Sequence, residues 1–287
     1  MNTVILKPRN EILKRYVQYF LFFNKMDNST QNYTTFPNNN LCLAIYKQNN
    51  VNYFNDQQSN HCVITEGDSN FVSRCYGFHK MPFQVSINSC LDQVCIIFYP
   101  SALGAFTAEP YRDLMNADHI FENIFPDKNS YFLEQLFAEH DLVKRAQKIE
   151  SLLIKNLNYE IPNKLRDSLL FISKSNHENL TVEILARQLG ISEASVFRLF
   201  KNHLGQNPKS FLKTIRFRTA LDKMLRKKDS LTEIAYLNQY YDQAHLIKDF
   251  KSFSGHSPKH LMSKITSTQN DLLWICDKNI LNDFYNF

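Results

Sequence analysis

A stretch of twenty residues occurs twice in this chain of 287 residues, at an offset of 50 positions. The first copy spans residues 196–215 and the second spans residues 246–265. Such an internal repeat constrains the fold more than local propensities do, and two copies are too few for a solenoid. The repeat therefore indicates a duplicated module. Six positions are identical between the copies: Phe200/Phe250, Lys201/Lys251, Gly205/Gly255, Pro208/Pro258, Lys209/Lys259 and Ile215/Ile265.

The first copy predicts two helices joined by a tight turn. Thr181 is placed to cap a helix over 182–189, Gly190 ends it, and Ser192 caps the next helix. The second helix carries an apolar stripe and stops at Gly205, after which Pro208 starts a long helix to about Lys227. This order is the helix-turn-helix pattern. The apolar stripe consists of Val196, Leu199, Phe200 and Leu204.

The second copy repeats the pattern with one extra residue in its turn. Ser230 to Glu233 is a capping box, and Asp242 caps the second helix. Residues 164–266 are almost wholly helical by pattern, and the apolar stripe of this copy includes Leu246 and Phe250.

Charge is distributed unevenly along the chain. Residues 164–267 hold 18 Lys and Arg against 9 Asp and Glu, a net charge of +9, whereas the other residues hold 15 against 19, a net charge of −4. A basic segment that carries the repeat indicates a polyanionic partner, although a solvated basic face is the alternative interpretation.

The N-terminal half has a different periodicity. Residues 35–99 show strand signals separated by turns, including the alternating runs 41–46 and 83–87 and the apolar run 94–99, and predict a small antiparallel sandwich or barrel. Residues 12–23 predict a partly helical segment, and residues 26–40 predict a loop. Further helices are expected after Ser101 and over 131–139 and 141–157. The apolar face of the last helix packs on its own domain or forms a dimer seam.

These patterns predict an α+β chain with three parts. Residues 1–160 form a β-rich sensory, effector or dimerisation domain with a helical end, residues 161–266 form a double helix-turn-helix domain, and residues 267–287 form an apolar tail that docks on the body or on a partner. The six cysteines are scattered, no leader peptide is visible and no apolar run is long enough to span a membrane. A cytoplasmic protein without membrane association is therefore expected.

The duplicated motif resembles the DNA-binding domain of the AraC/XylS family of bacterial transcription regulators. The resemblance rests on about a third of the chain, including 181–186, 192–205, 207–209, 231–235 and 242–258. Most members of that family have Gly in the second turn where this chain has Gln239, which we expect the turn to accommodate. The N-terminal half is similar to the cupin-like sensory domains of such regulators. The resemblance implies double-stranded DNA and RNA polymerase as partners and an activator of transcription, while the residues leave the sign of regulation open.

The family's base-contacting positions fall on the second helix of each motif. An apolar residue lies beside a cation in both copies, Phe197 beside Arg198 and Ile247 beside Lys248. An apolar side chain suits a thymine methyl, and Arg suits a guanine edge. The alternatives are burial for the apolar residues and phosphate contact for the cations. The predicted DNA-binding residues are Ala194, Phe197, Arg198, Lys201, Gln243, Ala244, His245, Ile247, Lys248 and Lys251.

The sequence offers a weaker prediction for an effector site. Tyr46, Arg74, Tyr76 and His79 could line the mouth of a barrel, although ordinary structural roles are the alternative. His61 and His79 are isolated from other ligand types, so no metal site is expected. No catalytic residues and no cofactor are predicted.

Three functions remain open at this level. The first is a transcriptional regulator whose N-terminal domain responds to a small effector or a partner. The second is a DNA-binding protein without a ligand that is controlled by dimerisation, for which a filled N-terminal barrel would argue. The third is an enzyme attached to a DNA-binding module, which would need a reactive or zinc-spaced cysteine arrangement that the sequence does not show.

Overall fold

A computed structural model describes residues 1–68, 71–115, 117–126, 130–175, 180–226, 229–265, 267–269 and 272–276. Strands dominate the first hundred residues and helices dominate the remainder, which confirms the predicted α+β class. The strands are β1 (Asn2–Leu6), β2 (Val17–Lys25), β3 (Gln31–Thr35), β4 (Leu41–Tyr46), β5 (Asn49–Asn55), β6 (Asn60–Glu66), β7 (Val72–Gly77), β8 (Phe83–Ile87), β9 (Leu91–Phe98), β10 (Ser267–Gln269) and β11 (Leu272–Cys276).

Two sheets face each other in the β-rich region, which we define as residues 1–160, and the C-terminal strands β10 and β11 extend the second of them. One has the order β1-β2-β9-β4-β7 and the other has the order β10-β11-β3-β8-β6-β5. Their facing side chains, such as Tyr19 and Leu21 from the first sheet and Val85 and Ile87 from the second, form one buried core. The predicted sandwich is thereby confirmed, except that β6 and β8 run parallel.

The first sheet is covered on its other face as well. Phe20 and Phe22 of β2 point away from the sandwich interior into a second core that helices complete. A strand that is buried on both faces reads as a continuous apolar run, which periodicity cannot distinguish from a buried helix. This explains why the helical prediction for 12–23 is wrong, since only Leu13–Arg15 form a 3-10 turn. The loop prediction for 26–40 is also wrong, because β3 lies within it.

The helices after the sandwich close this second core. Those of the β-rich region are α1 (Tyr111–Leu114), α2 (Ile120–Ile124), α3 (Ser130–Ala138) and α4 (Leu142–Lys155). Asp141 caps α4 by accepting hydrogen bonds from the backbone of Val143 and Lys144, at 2.8 and 3.2 Å. Ile149 and Leu153 of α4 are buried in the second core, so the apolar face of this helix packs on its own region.

Ser101 does not cap a helix as predicted. The segment that follows it is a 3-10 turn, Ala102–Ala105, and Ser101 adopts a φ of +67° without a capping hydrogen bond from its side chain. The left-handed backbone turns its hydroxyl away from the amides that an N-cap satisfies.

The helical region, which we define as residues 161–265, contains two small cores joined by one long helix. The first core gathers residues of α5, α6, α7 and the start of α8, and the second gathers residues of α8 to α11. The helices are α5 (Asn163–Lys174), α6 (Val182–Leu189), α7 (Glu193–Leu204), α8 (Pro208–Arg226), α9 (Leu231–Leu237), α10 (Gln243–Ser254) and α11 (Pro258–Lys264). The predicted end of α8 at Lys227 lies outside the described residues. The two predicted domain boundaries, at 160/161 and 266/267, remain predictions.

The tail returns to the β-rich region. β11 pairs antiparallel with β3, with Ile275 opposite Thr34 and Cys276 opposite Tyr33. The expectation that the tail docks on the body of the protein is confirmed for these residues, and positions 270, 271 and 277–287 lie outside the described ranges.

Candidate nucleic-acid interface

The first helix-turn-helix motif is built by two capped helices and a glycine turn. Thr181 accepts a hydrogen bond from the Ile184 amide at 3.2 Å and so caps α6. Gly190 follows with a φ of +61°, a left-handed conformation that side chains disfavour. Ser192 then caps α7 through the Ser195 amide, also at 3.2 Å. The predicted caps and turn of this motif are confirmed.

The inward face of α7 fixes which side chains remain accessible. Val196, Phe200 and Leu204 are fully buried in the first core of the helical region. The structure therefore leaves the four predicted DNA-binding residues of this copy exposed on the opposite face: Ala194, Phe197, Arg198 and Lys201. Phe197 is 49% exposed, which is a large solvent-facing area for an aromatic side chain and argues against the alternative that it is buried against a neighbouring helix.

The second motif repeats this construction with a different turn. The capping box at Ser230 and Glu233 is present, and Asp242 accepts a hydrogen bond from the His245 amide at 2.7 Å. Gln239 takes the left-handed conformation with a φ of +58°, so the turn accommodates it as predicted.

The predicted DNA-binding residues of the second motif divide into two groups. Gln243, Ala244, Lys248 and Lys251 are exposed, whereas His245 and Ile247 are half-buried. The His245 ring lies edge-on to Tyr240 with centroids 5.2 Å apart. His245 is thereby held partly against its own motif, and the exposed face of α10 is more polar than that of α7.

A buried carboxylate that the sequence analysis missed ties α10 to α8. Asp249 is 3% exposed and accepts from Lys213 at 2.9 Å and from Arg216 at 3.4 Å. The Arg216 guanidinium also lies 4.8 Å from the centre of the Tyr240 ring, and burial raises the pKa of the Tyr240 phenol. The repeat could have indicated this residue, because Asp249 occupies the position equivalent to Leu199, where an apolar residue would continue the stripe.

Two exposed tyrosines near the second motif were also missed. Tyr236 is 84% exposed and Tyr241 is 93% exposed. Tyr241 lies directly before the Asp242 cap, at the end of α10 that meets the groove in helix-turn-helix proteins. A phenolic hydroxyl there can donate to a phosphate oxygen.

The helix α8 sets the spacing of the two motifs. It contains 19 residues, which at 1.5 Å per residue gives about 28 Å. One turn of B-DNA rises about 34 Å, somewhat more than this length, and the placement of the two motifs in neighbouring major-groove segments on one face of a duplex remains a prediction.

The four residues predicted for an effector site each contact other side chains of the protein. The hydroxyls of Tyr46 and Tyr76 hydrogen-bond to each other at 3.1 Å inside the sandwich, and burial raises the pKa of both. Arg74 forms an ion pair with Asp118. His79 stacks on Phe83 with centroids 4.8 Å apart, and burial lowers its pKa to about 4. Their role in effector binding remains a prediction.

The described residues contain neither a metal-binding cluster nor a membrane-spanning helix. No group of three or more His, Cys, Asp or Glu side chains among them could hold a metal ion. Within the same ranges, no helix has the length and apolar character needed to cross a membrane.

Comparisons with known proteins match the two regions separately. A family model described as a helix-turn-helix domain matches residues 185–264, and a model described as a domain of unknown function (DUF6597) matches residues 6–119. An uncharacterised HTH-type transcriptional regulator of Haemophilus influenzae is 25% identical over 118 residues, which cover 41% of this chain and 40% of the relative. The raffinose operon transcriptional regulatory protein RafR of Pediococcus pentosaceus is 26% identical over 95 residues, which cover 33% of this chain and 34% of the relative.

Among solved structures, the C-terminal domain of AraT, a response regulator from Geobacillus stearothermophilus, matches 36% of this chain and 85% of its own at 27% identity and a TM-score of 0.34. The matched part of the chain spans about two fifths or less of the length of the curated relatives named above.

Proposed function

Because residues 185–264 belong to the AraC-type helix-turn-helix domain family, we propose that this protein is a sequence-specific DNA-binding regulator of transcription. The N-terminal region responds to a small effector or a partner and thereby alters DNA binding. The partner of the helical region is double-stranded DNA in a bacterial cytoplasm, and RNA polymerase is the second macromolecule on which such a regulator acts.

The pair of exposed recognition faces is the observation that carries this proposal. Phe197 and Arg198 on α7, and Gln243 and Lys248 on α10, are solvent-exposed on the second helix of their motifs. The second helix is the one that enters the major groove in this motif. Arg198 is suited to guanine, Gln243 to adenine and Phe197 to a thymine methyl group.

The surrounding charge supports a polyanionic partner. The net charge of +9 over residues 164–267 lies on the region that carries both motifs. Exposed Lys201 and Lys251 occupy equivalent repeat positions, one turn after the proposed base-reading residues. Lysine acts there as a flexible point charge that suits phosphate oxygens.

The test is selection of bound duplexes from a random pool by the full-length protein, followed by affinity measurements at several salt concentrations. We expect one enriched sequence with two half-sites about one helical turn apart. The logarithm of affinity should fall linearly with the logarithm of salt concentration, with a slope of about −0.9 per neutralised phosphate. No enrichment above the starting pool, or an affinity that salt does not change, would contradict the proposal.

A further inference from the structure

Two loops of the β-rich region each contact both helix-turn-helix motifs. One loop connects β3 to β4 and consists of residues 36–40, and the other connects β7 to β8 and consists of residues 78–82. We call them the bridging loops. Along the chain the motifs are joined through α8, so the bridging loops supply a second connection between them, through the β-rich region.

The first bridging loop reaches the second motif with Phe36 and the first motif with Asn39. Phe36 is buried in the core of the second motif, together with Phe250. Asn39 is also buried, donates a hydrogen bond to the Phe211 carbonyl oxygen of α8 at 3.0 Å, and accepts one from the Gln206 side chain at 3.3 Å. The two contact points are three residues apart, so at most about 10 Å of extended chain separates them.

The second bridging loop contacts the same repeat position in both motifs. Gly205 and Gly255 are equivalent in the repeat, and they end the recognition helices α7 and α10 with φ values of +67° and +73°. A Cβ on Gly205 would lie 4.0 Å from Cδ2 of Phe78, and a Cβ on Gly255 would lie 3.8 Å from Cγ of Pro82. A single loop of five residues therefore lies against the C-terminal ends of both recognition helices.

Hydrogen bonds and ring contacts fasten the second bridging loop to the β-rich region. The Asn60 amide donates to the Pro82 carbonyl oxygen at 2.8 Å, and the His79 ring stacks on Phe83 with centroids 4.8 Å apart. Phe78 has a φ of +51°, a left-handed conformation that residues other than glycine keep where their surroundings determine it. Phe78 packs on a core of the β-rich region and on the core of the first motif. The loop is thus suited to fix positions rather than to absorb movement.

The arrangement of the recognition helices matters because a duplex is stiff over the length of a binding site. The persistence length of DNA is about 150 base pairs, so a short site does not bend freely to meet a misplaced helix. One inserted base pair moves the second half-site by about 3.4 Å and rotates it by about 35°. A protein with fixed recognition helices accepts one spacing, whereas a protein with mobile motifs accepts several.

We propose that the bridging loops hold α7 and α10 in one relative orientation, so that the β-rich region determines which half-site spacing the protein accepts. The helix α8 joins the motifs, and the bridging loops prevent each motif from turning about its end of α8. Asn39 and Phe78 are positioning residues, because they act on DNA through the recognition helices. The inference about spacing rests on the proposed function, whereas the arrangement of the helices can be measured without DNA.

The experiment compares the full-length wild type with the double variant Asn39→Ala/Phe78→Ala, which removes one contact of each bridging loop with the first motif. The matched control is Asn49→Ala/Phe132→Ala. Asn49 is buried and donates to the Cys90 carbonyl oxygen at 2.9 Å, and Phe132 is half-buried against a core of the β-rich region. Both double variants lose the same side-chain types, but the contacts that the control loses lie within the β-rich region.

Affinity is measured for the duplex that the wild type selects and for versions with one or two base pairs inserted between the half-sites. We expect insertion of two base pairs to weaken binding about tenfold or more in the wild type and the control, but about threefold or less in the double variant, whose motifs can turn to meet the displaced half-site. At the selected spacing the double variant should bind about threefold more weakly, because it must order its motifs on binding. A general loss of stability would lower affinity at every spacing alike. An equal insertion penalty in the wild type and the double variant would overturn the proposal.

A second measurement needs no DNA. Nitroxide labels are attached to p-acetylphenylalanine at positions 201 and 251, which are exposed and equivalent in the repeat, so that the native cysteines are left unlabelled. Electron–electron double resonance then gives the distribution of distances between the labels. We expect a narrow distribution in the wild type and the control and a broader one in the double variant, and equal widths would overturn the proposal.

These measurements separate the proposal from the proposed function. Absence of DNA binding by the wild type would contradict the proposed function and leave the label distances to decide whether the loops hold the helices. If the double variant does not fold, the single variant Asn39→Ala takes its place, since it keeps every apolar contact of the loops. It should then show smaller changes in the same directions, and no change in either measurement would overturn the proposal.

Discussion

The two helix-turn-helix motifs have the same local design but hold their recognition helices differently. In α7 the inward position Leu199 is apolar and half-buried, whereas the equivalent position in α10 is the buried carboxylate Asp249, which binds Lys213 and Arg216 of α8. An apolar contact is non-directional, but a buried carboxylate with two cationic donors fixes the orientation of the helix. Both motifs therefore share capped helices and a left-handed residue in the turn, whereas their attachment to the connecting helix differs.

The motifs also differ in how the β-rich region contacts them. Phe36, from the loop after β3, is 4% exposed and belongs to the core of the second motif, together with Phe217 and Phe250. The first motif is contacted by Phe78, which is only half-buried and packs on the edge of its core. The N-terminal region thus contributes a fully buried aromatic side chain to the second motif and a half-buried one to the first, which it also holds through the hydrogen bonds of Asn39 with Gln206 and Phe211.

Removal of the Phe36 side chain should produce the largest difference in stability between the two motifs. Truncation of a buried Phe to Ala costs about 3 kcal/mol or more, because the transfer free energy is lost and a cavity remains. We expect Phe36→Ala to lower the free energy of local opening of α9 and α10 by about that amount, as measured by hydrogen exchange. The matched variant Phe78→Ala should have a smaller effect, confined to α6 and α7. Equal loss of protection in both motifs for either variant would show that the contacts are not selective.

The second test compares the buried carboxylate Asp249 of α10 with Leu199, the equivalent residue of α7. Asp249→Ala leaves Lys213 and Arg216 without their anion, and these cations are 39% and 30% exposed, so water screens part of the loss. We expect a decrease of about 2 kcal/mol in the free energy of unfolding, below the 3–5 kcal/mol found for fully buried pairs. Leu199→Ala, at the equivalent position, should cost about 1 kcal/mol because its side chain is half-buried. Urea denaturation measures both values, and a smaller loss for Asp249→Ala than for Leu199→Ala would mean that the ion pairs do not anchor α10.

The sequence predicted the helical region far better than the N-terminal one, and the reason is physical. Caps such as Thr181 and Asp242 and stops such as Gly190 act within a few residues, so their signals are local. The strands β1 and β3, by contrast, depend on partners that are distant in the chain, and β2 reads as a helix because it is buried on both faces.

The same distinction applies to the candidate sites. The exposed residues of α7 follow directly from helical periodicity, and those of α10 do so in part, because His245 and Ile247 are half-buried. The pairing of Asp249 with α8 arises from contacts between elements that no pattern within one element shows.

The third expected difference between the motifs concerns how each of them contacts the bases of the DNA. Arg198 is exposed on α7 and can bridge two acceptors on one guanine, whereas Lys248 on α10 is a flexible point charge. Arg198→Ala should lose about 1–3 kcal/mol of binding free energy and relax preference at one base pair. Lys248→Ala should weaken all duplexes similarly and make the salt slope shallower by about one unit. Affinities for the selected site and its single-base variants measure this, and a uniform loss for Arg198→Ala would place that residue on a phosphate.

The left-handed positions of the two turns provide the finest test, because a glycine in one turn and a glutamine in the other adopt the same backbone conformation. Gly190 and Gln239 have φ values of +61° and +58°, and a Cβ built on Gly190 has no atom within 4 Å. The left-handed conformation costs a residue with a Cβ roughly 1–2 kcal/mol, and part of this is offset because glycine loses more backbone entropy on folding. We therefore expect Gln239→Gly to stabilise the protein by about 0.5–1 kcal/mol and Gly190→Gln to destabilise it by a similar amount. Thermal unfolding of both variants and of the double swap measures these changes, which should cancel in the swap because the turns lie in separate cores. If Gln239→Gly were destabilising, the glutamine side chain would itself hold the second turn, and the two motifs would differ in their turns as well as in their attachment to α8.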